Sequence, residues 1–122
     1  MGSKAAAAIA FLVALLPADA QAADARVDYS AIQYLKNFAL SACIAQGYAA
    51  DEVVTDSRAA AGGYLELGSF SLEASMEAAA LAKTFLAKDY EGKHGGKLTL
   101  MKCIDLFHSK ELDQLARKHI KK

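Results

Sequence analysis

From Asp28 onward apolar side chains recur at three- and four-residue steps, the period of an α-helix. Ser30 with Gln33 three residues later is a capping-box signature that opens the first helix. Ile32, Leu35, Ala39, Ala42 and Cys43 form one stripe along it, and Tyr34, Phe38, Ser41, Ala45 and Tyr48 form a second. Two stripes predict a central helix packed on more than one side. A second helix is predicted from about Asp51 to Leu67, with Gly68 just past its end. Gly62 and Gly63 fall inside it, each costing about 1 kcal/mol relative to Ala, so the pair predicts close approach of another backbone or a local break.

Ser69 or Ser71 caps a third predicted helix that runs to about Ala87, with Leu72, Met76, Ala79, Ala80 and Leu86 expected to face inward. The stretch Glu91, Gly92, Lys93, His94, Gly95, Gly96, Lys97 carries no apolar side chain and is the clearest loop. A fourth helix follows from about Leu98 to Phe107, with Leu100, Cys103, Ile104 and Phe107 expected on its inner side. Ser109 caps a short last helix through Leu112 and Leu115 that is expected to fray into Arg117, Lys118, Lys121 and Lys122. Neither a useful strand alternation nor a long-period repeat is present. The expected fold is all-α, a bundle of four or five helices.

The N-terminus follows a different pattern. Met1 to Lys4 is short and positive, Ala5 to Leu16 is an uninterrupted apolar run, and Pro17 breaks it before the small residues Ala18, Ala20 and Ala22. This is the pattern of a cleaved signal peptide over residues 1–22, leaving a single domain over residues 23–122. As a helix the run would span about 18 Å, short of the roughly 30 Å hydrocarbon core, so no membrane association is expected after cleavage. Periplasmic residence follows. In an oxidising compartment Cys43 and Cys103 are expected to form an intramolecular disulfide, closing a long loop worth roughly 4 kcal/mol in the chain-entropy model. The alternative is two buried, reduced thiols acting as small hydrophobes.

Composition adds exclusions. At 122 residues, 54% apolar and 23% charged, the chain has room for one folded domain and is too apolar for disorder. Its 14 basic side chains balance 14 acidic ones, so no nucleic-acid affinity is expected. Neutrality conceals an asymmetry, since Asp24 to Glu77 carries eight acids against three bases and Ala78 to Lys122 five acids against ten bases. The acids Asp51, Glu52, Asp56, Glu66 and Glu73 are one candidate contact face.

Candidate chemistry is thin. His94, His108 and His119 show no helical metal-ligand spacing, so neither a metal nor a cofactor is expected. A disulfide would remove both sulfurs from nucleophilic use, and no catalytic residue is assigned. Lys93-His94-Gly95-Gly96-Lys97 lacks the spacing of a phosphate-binding loop and no strand precedes it. Its glycines suit a turn or a thin protruding element able to enter another protein's cleft.

Three segments carry a resemblance: Tyr34 through Ala45, Ala60 through Glu66 with its Gly-Tyr-Leu-Glu centre, and Lys102 through Asp113, reading Lys-Cys-Ile-Asp-Leu-Phe-His-Ser-Lys-Glu-Leu-Asp. They resemble the type VI secretion amidase immunity proteins of the fourth Tai family. The resemblance implies a periplasmic antidote, a small helical homodimer that binds a cognate peptidoglycan amidase of the Cys-His type and obstructs its cleft without catalysis. The loop Glu91 to Lys97 is the leading candidate for insertion, and Asp51, Glu52 and Asp56 are the competing contact. Tyr34, Phe38 and Tyr48, on the surplus stripe of the first helix, are candidates for a dimer face. A small periplasmic acid-stress chaperone, triggered by histidines and carboxyls, is the alternative from a different class.

Overall fold

The computed structural model describes residues 26–93 and 95–120; the expected signal peptide, His94, Lys121 and Lys122 lie outside them. Five helices follow in order: α1 (Ala31–Gly47), α2 (Asp51–Gly68), α3 (Leu72–Leu86), α4 (Thr99–Phe107) and α5 (Lys110–His119). No strand occurs among the described residues. Serine side chains start three of the helices. The Gln33 amide donates to Ser30 Oγ at 3.2 Å while the Ser30 amide donates to Gln33 Oε1 at 3.1 Å, completing the capping box. Ser71 accepts from the Ala74 amide and Ser109 from the Leu112 amide, each at 3.1 Å. Of the two candidates for the α3 cap, Ser71 takes the role.

The core lies between α1 and the group α3, α4 and α5. Leu35, Ala39, Cys43, Ala74, Ala78, Ala82, Cys103, Leu106, Leu112 and Ala116 are all sealed from solvent. Alanines at Ala74, Ala78 and Ala82 let α3 lie close to its neighbours, because a methyl group adds little to the separation of helix axes. α2 packs chiefly on the other flank of α1. That sandwich is why α1 carries two apolar stripes.

Several expected orientations are corrected. On α3, Leu72 and Met76 are 71% and 63% exposed, and the buried face is Ala74, Ser75, Ala78, Ala82 and Phe85. On a helix this rich in alanine, two overlapping stripes satisfy the same period, and the large side chains occupy the outer one. On α4, Leu100 and Ile104 are exposed, whereas Lys102, Cys103 and Leu106 are buried. The Cys43–Cys103 bond, with Cα atoms 5.6 Å apart, holds α4 in this rotation.

The glycines of α2 are also corrected. A Cβ at Gly62 or Gly63 would meet nothing within 4 Å, and the helix continues through both. Gly68 is the last helical residue, and Ser69, at φ 52°, adopts the left-handed turn that was expected of glycine. Gly68 is needed for space instead, since a Cβ there would lie 2.6 Å from the Phe70 ring and 2.9 Å from Tyr34 Cβ. The last helix does not fray at Arg117. It runs through His119, with Arg117 paired to Asp113 at 2.9 Å.

Candidate functional site

The connection from Leu86 to Thr99 is built on three helix ends that converge. α1 and α4 meet where Gly47 faces Thr99: a Cβ at Gly47 would sit 2.3 Å from Thr99 Cγ2 and 2.9 Å from Leu86 Cδ2. Gly47 is one helical turn beyond Cys43, and Thr99 is one turn before Cys103, so the disulfide sets this contact directly. Two hydrogen bonds then tie the first stem of the connection to α4. Tyr90 donates its hydroxyl to Asp105 Oδ2 at 2.6 Å, which pushes the Tyr90 phenol above its ordinary value, first through that hydrogen bond and then through desolvation. Lys102 Nζ donates to the Leu86 carbonyl oxygen at 3.2 Å.

Between these ties Glu91, Gly92, Lys93, Gly95, Gly96 and Lys97 are exposed. The Gly95 amide donates to the Gly92 carbonyl oxygen at 3.3 Å, and Gly95 and Gly96 hold φ at 73° and 86°, a region that strains any residue with a Cβ. Leu98, at φ 52°, turns the chain into α4 and places its side chain against Gly92. The thin turn expected from sequence is therefore present, on a covalently fixed base.

The competing acidic face is on α2. Asp51, Glu52 and Asp56 are all exposed. Asp51 and Glu52 occupy the first turn, where their charge favours the helix N-terminus, a structural role sufficient to account for them. Glu52 and Asp56 rim a cleft of about 450 Å³ against Ser41 and Ile44 of α1. Glu66 and Glu73 are exposed as well, on the far part of α2 and the start of α3.

Two of the three candidate dimer residues are packed within the chain. Tyr34 and Phe38 are each 9% exposed and are used inside the chain. Tyr34 donates to Asp28 Oδ1 at 3.0 Å and meets Tyr29 edge-on at 5.5 Å, while Phe38 meets Phe70 edge-on at 5.5 Å. The surplus stripe of α1 is covered by α2 and the turn that follows it. Tyr48 is half-buried.

The histidines divide. His108 is exposed and lies edge-on to Phe107. His119 was expected on a frayed end, yet its side chain is only 10% exposed and contacts Glu77 through Nε2, with Lys118 Nζ on the same carboxylate at 2.9 Å. These hydrogen bonds, His119 first and Lys118 second, hold the Glu77 carboxyl below the usual range. No group of three or more metal-ligating side chains occurs among the described residues. No helix among them is long and apolar enough to cross a membrane.

Three residues that shape the loop base carry no distinguishing sequence signal. Gly47 sits in an unremarkable helical end, Tyr90 precedes the loop, and Lys102 is a lysine on a face expected to be solvated. No local pattern distinguishes a buried lysine from an exposed one, because its long aliphatic stem suits either.

The fold and its surfaces define a class: a small all-α module, stapled by one disulfide, with a thin exposed loop and an exposed acidic face. Its family is shown by comparison. The chain belongs to the type VI secretion system amidase immunity proteins, the Tai4 family, whose model matches residues 33–116. Its members are immunity proteins rather than enzymes, and the family does not favour the acid-stress chaperone. Among solved structures, the chain is similar to one from the Tae4/Tai4 effector–immunity system of Salmonella typhimurium, with 40% identity, a TM-score of 0.72, and 77% of this chain and 93% of that chain covered. It is similar to a protein from a study of type VI-secreted toxins and self-resistance proteins in Serratia marcescens, at 28% identity and TM-score 0.67, covering 75% of each chain. A chain of the Tae4–Tai4 complex from Enterobacter cloacae shares the fold at 21% identity and TM-score 0.66, over 73% of this chain and 91% of that one. No curated protein matches the chain.

Proposed function

We propose that this protein binds the cleft of a cognate peptidoglycan amidase, a Cys-His hydrolase, and blocks it stoichiometrically, with the Glu91 to Lys97 loop as the inserted element. The observation that carries this reading is the exposed glycines Gly92, Gly95 and Gly96, standing on a base fixed by the Cys43–Cys103 bond, the Tyr90–Asp105 hydrogen bond and the Lys102–Leu86 hydrogen bond. A cleft shaped for a peptide strand excludes a helix about 10 Å wide but admits a glycine turn. A fixed base also lowers the ordering cost of binding.

An immunity protein against a peptidoglycan amidase acts where peptidoglycan is, in the periplasm, and residues 1–22 are proposed to direct it there as a cleaved signal peptide. A homodimer belongs to the same reading. Tyr34 and Phe38 are largely buried within the chain, so the face proposed for it includes exposed apolar side chains such as Leu72 and Met76 of α3 and Leu100, Met101 and Ile104 of α4. A monomer mass by light scattering would reject the dimer.

The test of insertion begins with capture of the amidase from periplasm by tagged mature protein. A variant shortened across Gly92 to Gly96 is then assayed against it, with circular dichroism to verify the helices. Loss of inhibition is the expected result. Full neutralisation by the shortened variant, with protection abolished on reversing Asp51, Glu52 and Asp56, would transfer the role to the acidic face.

A further inference from the structure

The base of the loop contains a cleft whose chemistry insertion alone does not use. About 570 Å³ in volume, it is bounded by Gly47 of α1, Leu86 and Lys88 at the end of α3, and Lys97, Thr99 and Lys102 at the start of α4. Lys102 is only 8% exposed, and its Nζ makes one protein hydrogen bond, to the Leu86 carbonyl oxygen. An ammonium has three donors. No carboxylate among the described residues pairs with it: Asp89 lines the same cleft without reaching salt-bridge distance, and Asp105, one turn along α4, accepts from Tyr90 instead. The Tyr90 ring, 5.6 Å from Nζ, gives partial compensation.

The Lys102 stem is buried while its ammonium borders an open cleft, with no counter-ion among the described residues, and such a fixed charge attracts an anion. Apart from Asp89, the other charged features of the cleft have the same sign. Lys97 is exposed at its rim, and Lys88 is held over the Phe85 ring at 3.6 Å. α4 starts at Leu98 without a side-chain cap, so the positive end of its dipole also faces this region.

We infer that the cleft is a carboxylate-binding pocket and that its occupant is an acidic side chain on the rim of the amidase cleft. The inference rests on the insertion reading, because Lys88 and Lys97 flank the two stems of the loop, and a partner threaded by the loop brings its own rim over them. Lys102 supplies a charge held in place by the Leu86 carbonyl, Lys97 the steering charge at the mouth. The pairing would set the depth and angle of insertion.

Two substitutions separate this pocket from the loop. Lys102→Met keeps the aliphatic stem and removes the charge, and Lys97→Glu reverses an exposed charge without touching the core. Titration calorimetry with the captured amidase at low and at physiological salt measures both. We expect each to weaken the complex by about thirtyfold, the scale of a truncated buried charge pair, with a shallower salt dependence. Affinities within twofold of wild type for both variants would overturn the pocket. A free-anion site is tested without the amidase, by titrating acetate at constant ionic strength and following the Thr99 and Leu100 amides by NMR. Saturable shifts with unaltered amidase affinity in both variants would assign the cleft to a free anion and overturn the inference. If shortening the loop leaves binding intact while Lys97→Glu abolishes it, insertion fails and the pocket stands.

Discussion

α2 and the connection between α3 and α4 are both exposed and charged, and both border a cleft against α1, yet they are held in opposite ways. α2 rests chiefly on one neighbour, and its one buried residue, Ser57, returns its hydroxyl to the Val53 and Val54 carbonyl oxygens of its own helix. The α3–α4 connection hangs between elements that meet at a disulfide, a glycine contact and two side-chain hydrogen bonds. On the proposed reading, a charged face on a helix held by one neighbour would serve long-range attraction, which needs sign rather than position. A thin turn on a fixed base serves insertion, which needs position. If the proposed insertion holds, the two regions would act at successive stages of one encounter.

The largest expected effect comes from removing the staple. Replacing Cys43 and Cys103 by Ala should destabilise the protein by roughly 4 kcal/mol in denaturant titration, and it should loosen the loop base more than α2 in hydrogen exchange. Uniform loss of protection would show that the disulfide stabilises the whole bundle and does not favour that end. Glycine substitutions sharpen the contrast next. Gly47→Ala should cost about 1–3 kcal/mol, because its methyl group meets Thr99 and Leu86, whereas Gly62→Ala, facing open space, should add up to about 1 kcal/mol. Opposite signs in thermal melts are the prediction, and equal signs would break it.

Charge reversal at Asp51, Glu52 and Asp56 should slow association with a basic partner by about tenfold at low salt while leaving dissociation almost unaltered, as stopped-flow measurement would show. A change confined to dissociation would make this face part of the docked interface. The smallest effect lies in neither region, at the α3–α5 contact, and serves as a control. Glu77 is held below its ordinary value of 4.5 by His119 and Lys118. Its stabilisation is thus complete above that value and is lost as pH falls through the lowered one. Glu77→Gln should flatten the acid side of the stability curve while leaving amidase binding at neutral pH unaltered.

Much of this architecture was legible along the chain. Ser30 with Gln33, Ser109 before Leu112, and the glycine-rich stretch at Gly92 to Gly96 each act within a few residues, so their meaning survives without the fold. The two stripes of α1 correctly required partners on two sides, but they could not say whether a second subunit or α2 would cover Tyr34 and Phe38. Which of two overlapping faces turned inward was equally hidden on α3 and α4.

By itself the sequence determined the helix order, the caps, the loop and the identity of the two cysteines, since these follow from backbone propensity and short-range hydrogen bonding. The tertiary structure alone decided that Leu72, Met76, Leu100 and Ile104 face solvent, that Gly47 is the close contact instead of Gly62 or Gly63, and that Lys102 is buried beneath the loop. Those outcomes depend on the rotation of one helix against another. A rotation is set by the sum of distant contacts, among them a bond between residues 60 positions apart, and no local pattern encodes it.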